Sequence, residues 1–357
     1  MKHLFKLFCL ALTLGLFFTS CSNDDDNFTP QEPLGDYENG ILISHEGNFS
    51  QPNASVSFVS YDLGTIENNI FDNVNSDVLG SVAQSINFNE SFAYIVLNGS
   101  NTIQVVNRYT FETITTIDSG LDNPRYIAFA NGKGYVTNWG DPYNVSDDYI
   151  AIMDLSTNTI TSETISVGEG PEQIISNGNK LFVSHKGGFG VNNIISVVDA
   201  NNTIETIQVN DVPDEMVFDN SGNLIVLSEG ANQSWLSPPN ITNGSLTRIN
   251  VSDNSIMWSL EFADGEHPSL MMIEEDIVYY YMAGSLYKMS ISDTTLPTTA
   301  EISGLNLYGM SINNSMLYGV DAADFVSDGL MHVYDLNTNN LINSVTLNVI
   351  PSKVYFN

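Results

Sequence analysis

The sequence predicts an all-β protein: a seven-bladed β-propeller with four antiparallel strands per blade, its ring closed by the C-terminal strand. Three observations carry that prediction. A strand opening recurs at Pro124, Pro171, Pro213, Pro268 and Pro351, with Ala83 and Leu307 in the equivalent places of two further copies. Each opening leads into short runs rich in Ile, Val, Tyr and Phe, separated by Gly, Asn and Asp turn residues. The copies repeat at about 45 residues, the length of one propeller blade.

The unit is clearest over residues 123–160. Pro124 opens an apolar run, Tyr126 to Ala130. Asn131-Gly132-Lys133 is a hairpin turn, and Tyr135-Val136-Thr137 a second strand. Ile150 to Met153 is a third, and Ser156-Thr157-Asn158 turns into a fourth around Ile160. The second strand recurs around Ile43, Tyr94, Phe182, Ile225, Val278 and Leu317. The third ends on Asp62, Asn107, Asp154, Asp199, Asn250, Ser290 or Asp335. Each of these side chains can accept bonds from amides of the following turn. A lone blade has two apolar faces that only neighbouring blades bury, so the copies must close into a ring. The first copy begins at Gly40 with a second-type strand, while the chain ends on a spare first-type strand, Pro351 to Asn357. The end of the chain is therefore expected to complete the first blade.

Ahead of the repeats stand Lys2 and Lys6, an apolar run from Leu7 to Phe18, and Thr19-Ser20-Cys21. This predicts a signal peptide over residues 1–20. The stretch resembles the lipobox of bacterial lipoproteins, with Phe18 where Leu is usual, which makes Cys21 the expected lipidation site and membrane anchor. The apolar run is shorter than the ~20 residues a spanning helix needs. An acidic, proline-containing tether is expected over residues 21–39, and the propeller over 40–357. An acidic run directly after the lipid cysteine resembles the surface-export signal of Bacteroidetes lipoproteins, which implies an outer-membrane, cell-surface location.

Composition excludes some functions. The formal charge is −32 with only ten Lys and Arg, so a footprint for nucleic acid is missing. Of the two cysteines, Cys9 leaves with the signal and Cys21 carries lipid, so no disulfide is expected. There is no G-x-S-x-G, Walker A, C-x-x-C or H-E-x-x-H pattern, and no catalytic residue is assigned.

The loops between second and third strands share one face with the connections into each first strand. They are long, varied and aromatic, whereas the turns on the other face are short. Long loops on a rigid scaffold are where binding resides. Ligand contacts are expected from Tyr126, Trp139, Tyr143, Phe189, Trp235, Tyr308 and Phe325, and hydrogen bonds from Asn48, Asn98, Arg125, Gln173 and Asn232. His45 and His185 occupy equivalent places as S-H-E-G and S-H-K-G, and are expected to bond loops or ligand. They lie in non-adjacent blades, too far apart to share a metal. The residue after each opening forms a polar ring, Gln84, Arg125, Glu172, Asp214, Ser269, Tyr308 and Ser352, while the position two further on is apolar throughout. Asp321, Asp324 and Asp328 lack EF-hand spacing and read as a solvated loop, with calcium the alternative.

The repeat P-x-x-I-x-F-x-N-G-K-x-Y-V-x-N … I-x-V-x-D resembles the YncE-like seven-bladed propellers over residues 40–357. With the lipobox and the acidic run from Ser22 to Asp26, the chain is similar to Bacteroidetes surface lipoproteins that include BtuG-type cobalamin-binding proteins. That resemblance implies capture of a small-molecule ligand, cobalamin or a related corrinoid, and delivery to a TonB-dependent, BtuB-like outer-membrane transporter, with no cofactor required. Two alternatives stay open: a calcium-dependent lactonase-like hydrolase using Glu172, Asp214, Glu215 and Glu229, and an adhesion or scaffold propeller.

Overall fold

Each repeat folds into one four-stranded antiparallel sheet, and seven such sheets make the propeller. The structure, a computed structural model, describes residues 33–49 and 51–357. Cys21, the signal segment and most of the tether therefore lie outside the described residues. The inner strands are Ala83–Asn89, Pro124–Ala130, Pro171–Asn177, Pro213–Phe218, Ser269–Glu274, Gly309–Asn313 and Pro351–Phe356. The last closes the ring as expected. It pairs antiparallel with Gly40–His45, with Leu42 opposite Tyr355 and Ser44 opposite Lys353.

Alternate residues of every strand pack against the preceding or the following blade. The core is therefore a series of apolar wedges between blades, not one central mass. Ile127, Val136 and Ala151 of blade three meet Tyr94, Val96 and Val105 of blade two. Ala128, Tyr135 and Ile150 meet Ile174 and Val183 of blade four.

The turn chemistry repeats in all seven blades. The backbone N–H groups of Gly64, Tyr109, Ser156, Asn201, Ser252 and Asn337 donate to side chains two residues earlier, those of Asp62, Asn107, Asp154, Asp199, Asn250 and Asp335, at 2.8–3.0 Å. Ser292 donates to the Ser290 hydroxyl at 3.2 Å. At the neighbouring hairpin, Asn131 and Gly132 both have positive φ, 51° and 72°, the conformation that Asn-Gly tolerates.

Two features depart from expectation. The stretch before Gly40 is not wholly tether. Tyr37 is buried, its ring edge-on to Phe58 and Phe111, and its N–H donates to Tyr109 O at 2.9 Å. One aromatic supplies enough apolar area to hold its neighbours against blades one and two. The other departure is a β-bulge at the opening of the inner strand in six blades.

Candidate functional site

That bulge decides what faces the channel. In blade three, Pro124 pairs with Asn138 and Ile127 with Val136, so Arg125 and Tyr126 together stand opposite Thr137. Strict alternation would send Tyr126 to the opposite side of the strand from Arg125. The extra residue instead lets both reach the axis. The amide freed by the bulge is not orphaned: Tyr126 N–H donates to Thr137 Oγ1 at 3.1 Å. Blade four repeats this, with Gln173 N–H on Ser184 Oγ at 3.2 Å. The same hydroxyls also tie the blades together, Thr137 donating to Glu172 O and Ser184 to Asp214 O, each at 2.8 Å. A small hydroxyl residue on the second strand thus sets the height of the polar ring.

The ring encircles a funnel of about 960 Å³ on the loop-bearing face, and all seven of its members line it. Three of the chain's ten basic residues, Arg125, Lys186 and Lys353, line it too. Arg125 Nε and Nη2 form a bidentate pair with Glu172 at 2.9 and 2.8 Å, and Gln84 Nε2 reaches the same carboxylate at 3.3 Å. The Arg125 guanidinium also lies 4.0 Å from the centroid of the Trp139 ring, a cation–π contact. Trp139 is pinned in turn by Nε1–H donation to Pro171 O at 3.0 Å. Lys186 Nζ bonds Asp214 at 2.6 Å and Glu229 at 3.3 Å.

These charges sit in a small, partly dehydrated space. Burial and the nearby Asp214 carboxylate push Glu215 up to about 7 and Glu229 up to about 8. Asp214 is held below its usual range, against its own burial, by the Lys186 ammonium. One anion of the cluster thus stays ionised while its neighbours favour the proton.

The expected contact residues divide into three groups. Asn98, Arg125, Tyr126, Trp139, Phe189 and Tyr308 line the funnel, and Gln173 lines a deeper chamber. Tyr143 and Phe325 do not line the funnel but lie exposed against rings that do. The Tyr143 ring lies 5.3 Å from Phe189, and Phe325 lies edge-on to Tyr308 at 5.1 Å. The rest point elsewhere. Asn48 exchanges bonds with Asn53 inside its own loop. Asn232 pairs with Ile241 in a small hairpin of blade five, and Trp235 lies exposed in the same excursion.

His45 and His185 are fully buried inside blades one and four, not at the mouth. Each bonds a serine on the third strand through Nε2 at 2.8 Å, Ser57 and Ser196 respectively. Each also meets a backbone carbonyl through Nδ1, Val349 O and Gly168 O. Burial pushes both down to about 4, so they are neutral rivets of their blades.

Other residues at the funnel were not among the expected contacts. Phe49 lines the mouth, Glu46 accepts from Tyr308 OH at 3.0 Å, and Lys186 and Lys353 supply positive charge. Lys353 is the blade-one counterpart of Tyr126, so aligning the residue two places after each opening finds this second ring. Of the four carboxylates named for a hydrolase, Glu172, Asp214 and Glu229 are engaged by Arg125 and Lys186, while Glu215 forms no ion pair. Among the described residues no group of three or more His, Cys, Asp or Glu is arranged to hold a metal ion. Asp321 and Asp324 accept bonds from Asn306 and from their own loop amides.

Residues 39–347 match the family described as Domain of unknown function (DUF5074). No curated protein matches the chain. Among solved structures, it is similar to a quinoprotein alcohol dehydrogenase-like protein from Bacteroides thetaiotaomicron, with 14% identity, TM-score 0.66, and 90% of this chain and 78% of that one covered. It is also similar to a candidate 6-phosphogluconolactonase from Bacteroides fragilis, with 12% identity, TM-score 0.64, and 90% and 98% covered. A protein from Lactobacillus plantarum matches at 11% identity and TM-score 0.61, covering 90% and 99%. At such identities the likeness extends to the propeller fold alone.

Proposed function

The chain belongs to the DUF5074 family, and we propose that it is a lipid-anchored capture protein. In this reading it binds a bulky, nearly neutral ligand, a corrinoid such as cobalamin in the first instance, in the funnel mouth at the cell surface. It then passes the ligand to a TonB-dependent outer-membrane transporter.

The observation that carries the reading is the funnel wall itself. It offers about 960 Å³, with Trp139 and Phe189 on one flank, Tyr308 and Phe49 on another, and amide and hydroxyl groups between them. Aromatic faces supply contact area to a flat macrocycle, and side-chain amides suit its peripheral groups. The charges at the wall are mostly spent on one another, Arg125 with Glu172 and Lys186 with Asp214 and Glu229. Such a surface places little demand on the net charge of what it holds. The lipobox-like Cys21 and the acidic stretch after it support the location, and delivery to a transporter rests on the resemblance to BtuG-type lipoproteins. The hydrolase alternative is less well served, because three of its four candidate carboxylates, Glu172, Asp214 and Glu229, already have cationic partners.

The test is spectroscopic. Cobalamin, haem and ferric siderophores are titrated into the purified protein while absorbance and Trp fluorescence are followed. Trp139, one of three tryptophans, lies in the wall and reports occupancy. The expected result is saturable quenching by cobalamin that weakens at least about tenfold in Trp139→Ala, as removal of an aromatic anchor does. No response to any coloured ligand overturns the reading.

A further inference from the structure

Below the funnel lies a second chamber of about 260 Å³, several times the ~30 Å³ that one water occupies. Its wall is largely apolar, with Ile86, Ile127, Ile174, Met272, Met310 and Val354. Tyr126, Glu215, Leu270, Ser352 and Lys353 line both spaces and form the girdle between them.

The girdle holds a lysine and a carboxyl group that form no direct ion pair with each other. Among the described residues, Lys353 has no carboxylate within 4.0 Å, and its Nζ lies 5.5 Å from the centroid of the Tyr126 ring. Glu215 takes one long bond, from Gln173 Nε2 at 3.4 Å. Gln173 is itself held in place, because its Oε1 accepts from Met216 N–H at 2.5 Å. Tyr355 contributes a fixed hydroxyl, which accepts from Ile86 N–H at 2.9 Å. The other two cations of the funnel, Arg125 and Lys186, are each paired with carboxylates. An ammonium with no direct carboxylate partner at the lip of this chamber is costly unless something meets it, and Glu215, which burial and Asp214 bias toward the proton, ionises once a cation stands against it.

We propose that this chamber is a second binding site, and that its ligand is a small zwitterion with an apolar body, an apolar α-amino acid. The ligand carboxylate meets Lys353, its ammonium meets Glu215, and its side chain fills the chamber below. The chamber lies below the funnel mouth and shares only the girdle with it, and its assignment does not rest on what binds at the mouth.

The test is calorimetric titration of the purified protein with L-phenylalanine, phenylpropionate and phenethylamine, which share a body and differ in charge. Phenylalanine should bind, and each singly charged analogue should bind at least about tenfold more weakly, since each lost charge-assisted bond is worth that much. Lys353→Met should weaken phenylalanine and phenylpropionate but spare phenethylamine. Glu215→Gln should weaken phenylalanine and phenethylamine but spare phenylpropionate. Met272→Phe, which leaves both charges and fills the chamber, should abolish binding of all three. Equal affinities for the three compounds, no binding of any, or unchanged binding in Met272→Phe would each overturn the proposal. The corrinoid titration reads the mouth, so its outcome and this one fail independently.

Discussion

The two ends of the central channel are made by the same repeat, yet they differ in kind. At the turn-bearing end every blade does the same thing: a short polar side chain closes the third strand and binds the amide two residues on. At the loop-bearing end no two neighbouring blades place the same residue on the axis. Gln84, Arg125, Glu172, Asp214, Ser269 and Tyr308 follow one another, and the bonds they make cross between blades: Arg125, Asp214 and Tyr308 to a neighbouring blade, Gln84 to the blade beyond. Repetition marks what the fold requires of every blade. Variation marks where the ring as a whole makes one asymmetric surface.

That contrast can be broken most severely at the closure. Deleting Pro351 to Asn357 removes the inner strand of blade one together with Tyr355 and Lys353. Loss of a single cooperative transition in thermal unfolding by circular dichroism is expected, because both faces of blade one lose their support. A next, smaller effect comes from the turn-bearing end. Arg248 pairs with Asp219, whose side chain is fully buried, with Nε 2.7 Å from the carboxylate. Arg248→Met should cost about 3–5 kcal/mol in urea unfolding, the penalty for stranding a buried charge, while leaving funnel titrations unchanged.

The funnel end should show itself through pH. His45 and His185, with folded values near 4, contribute stability present above their unfolded value of 6.5 and lost as the pH falls toward 4. Glu215 and Glu229 work in the opposite sense. Their folded values are raised, so they contribute stability present below about 4.5 and lost as the pH rises through about 7 and about 8. Between pH 6.5 and 8 only the second pair operates, and the melting temperature should fall as the pH rises. The slope is bounded by about 1.4 kcal/mol per pH unit for each proton released. Glu229→Gln should flatten it, and an unchanged slope would show that the cluster is better hydrated than its burial implies.

Smaller still is the effect of a single turn. Asp154→Ala removes bonds to Ser156 N–H and Oγ at the turn-bearing end, and should lower the melting temperature only slightly, with no change in ligand response. Phe189→Ala sharpens the comparison from the other side. Phe189 is largely exposed, at 62%, so stability should stay within about 0.5 kcal/mol. Its loss should nonetheless weaken the corrinoid response, because the Tyr143 and Trp139 rings both pack against it.

Much of this architecture is legible in the sequence, and for a local reason. Strand runs, Asn-Gly hairpins and the Asp, Asn or Ser that closes each third strand act within a few residues of themselves, so each copy carries its own signal. The spare strand at Pro351 predicts ring closure by simple accounting of strands. The site is less legible. His45 and His185 match one another in a loop-flanking motif, and that motif describes a buried histidine–serine bond as well as it describes a contact at the mouth. Tyr37 looks like part of a polar tether because its pocket, made by Phe58 and Phe111, comes from two different blades.

By itself, then, the order of residues determined seven blades, their boundaries, which face carries the loops, and the polar ring after each opening. Only the tertiary structure decided which side chains meet at the axis. The bulge turns Tyr126, Gln173, Glu215 and Lys353 inward beside that ring, and a bulge depends on the pairing of two strands, not on either strand alone. Arg125 finds Glu172, and Lys186 finds Asp214 and Glu229, because the ring brings successive blades together. The charges left over at the girdle are those that the same geometry holds apart.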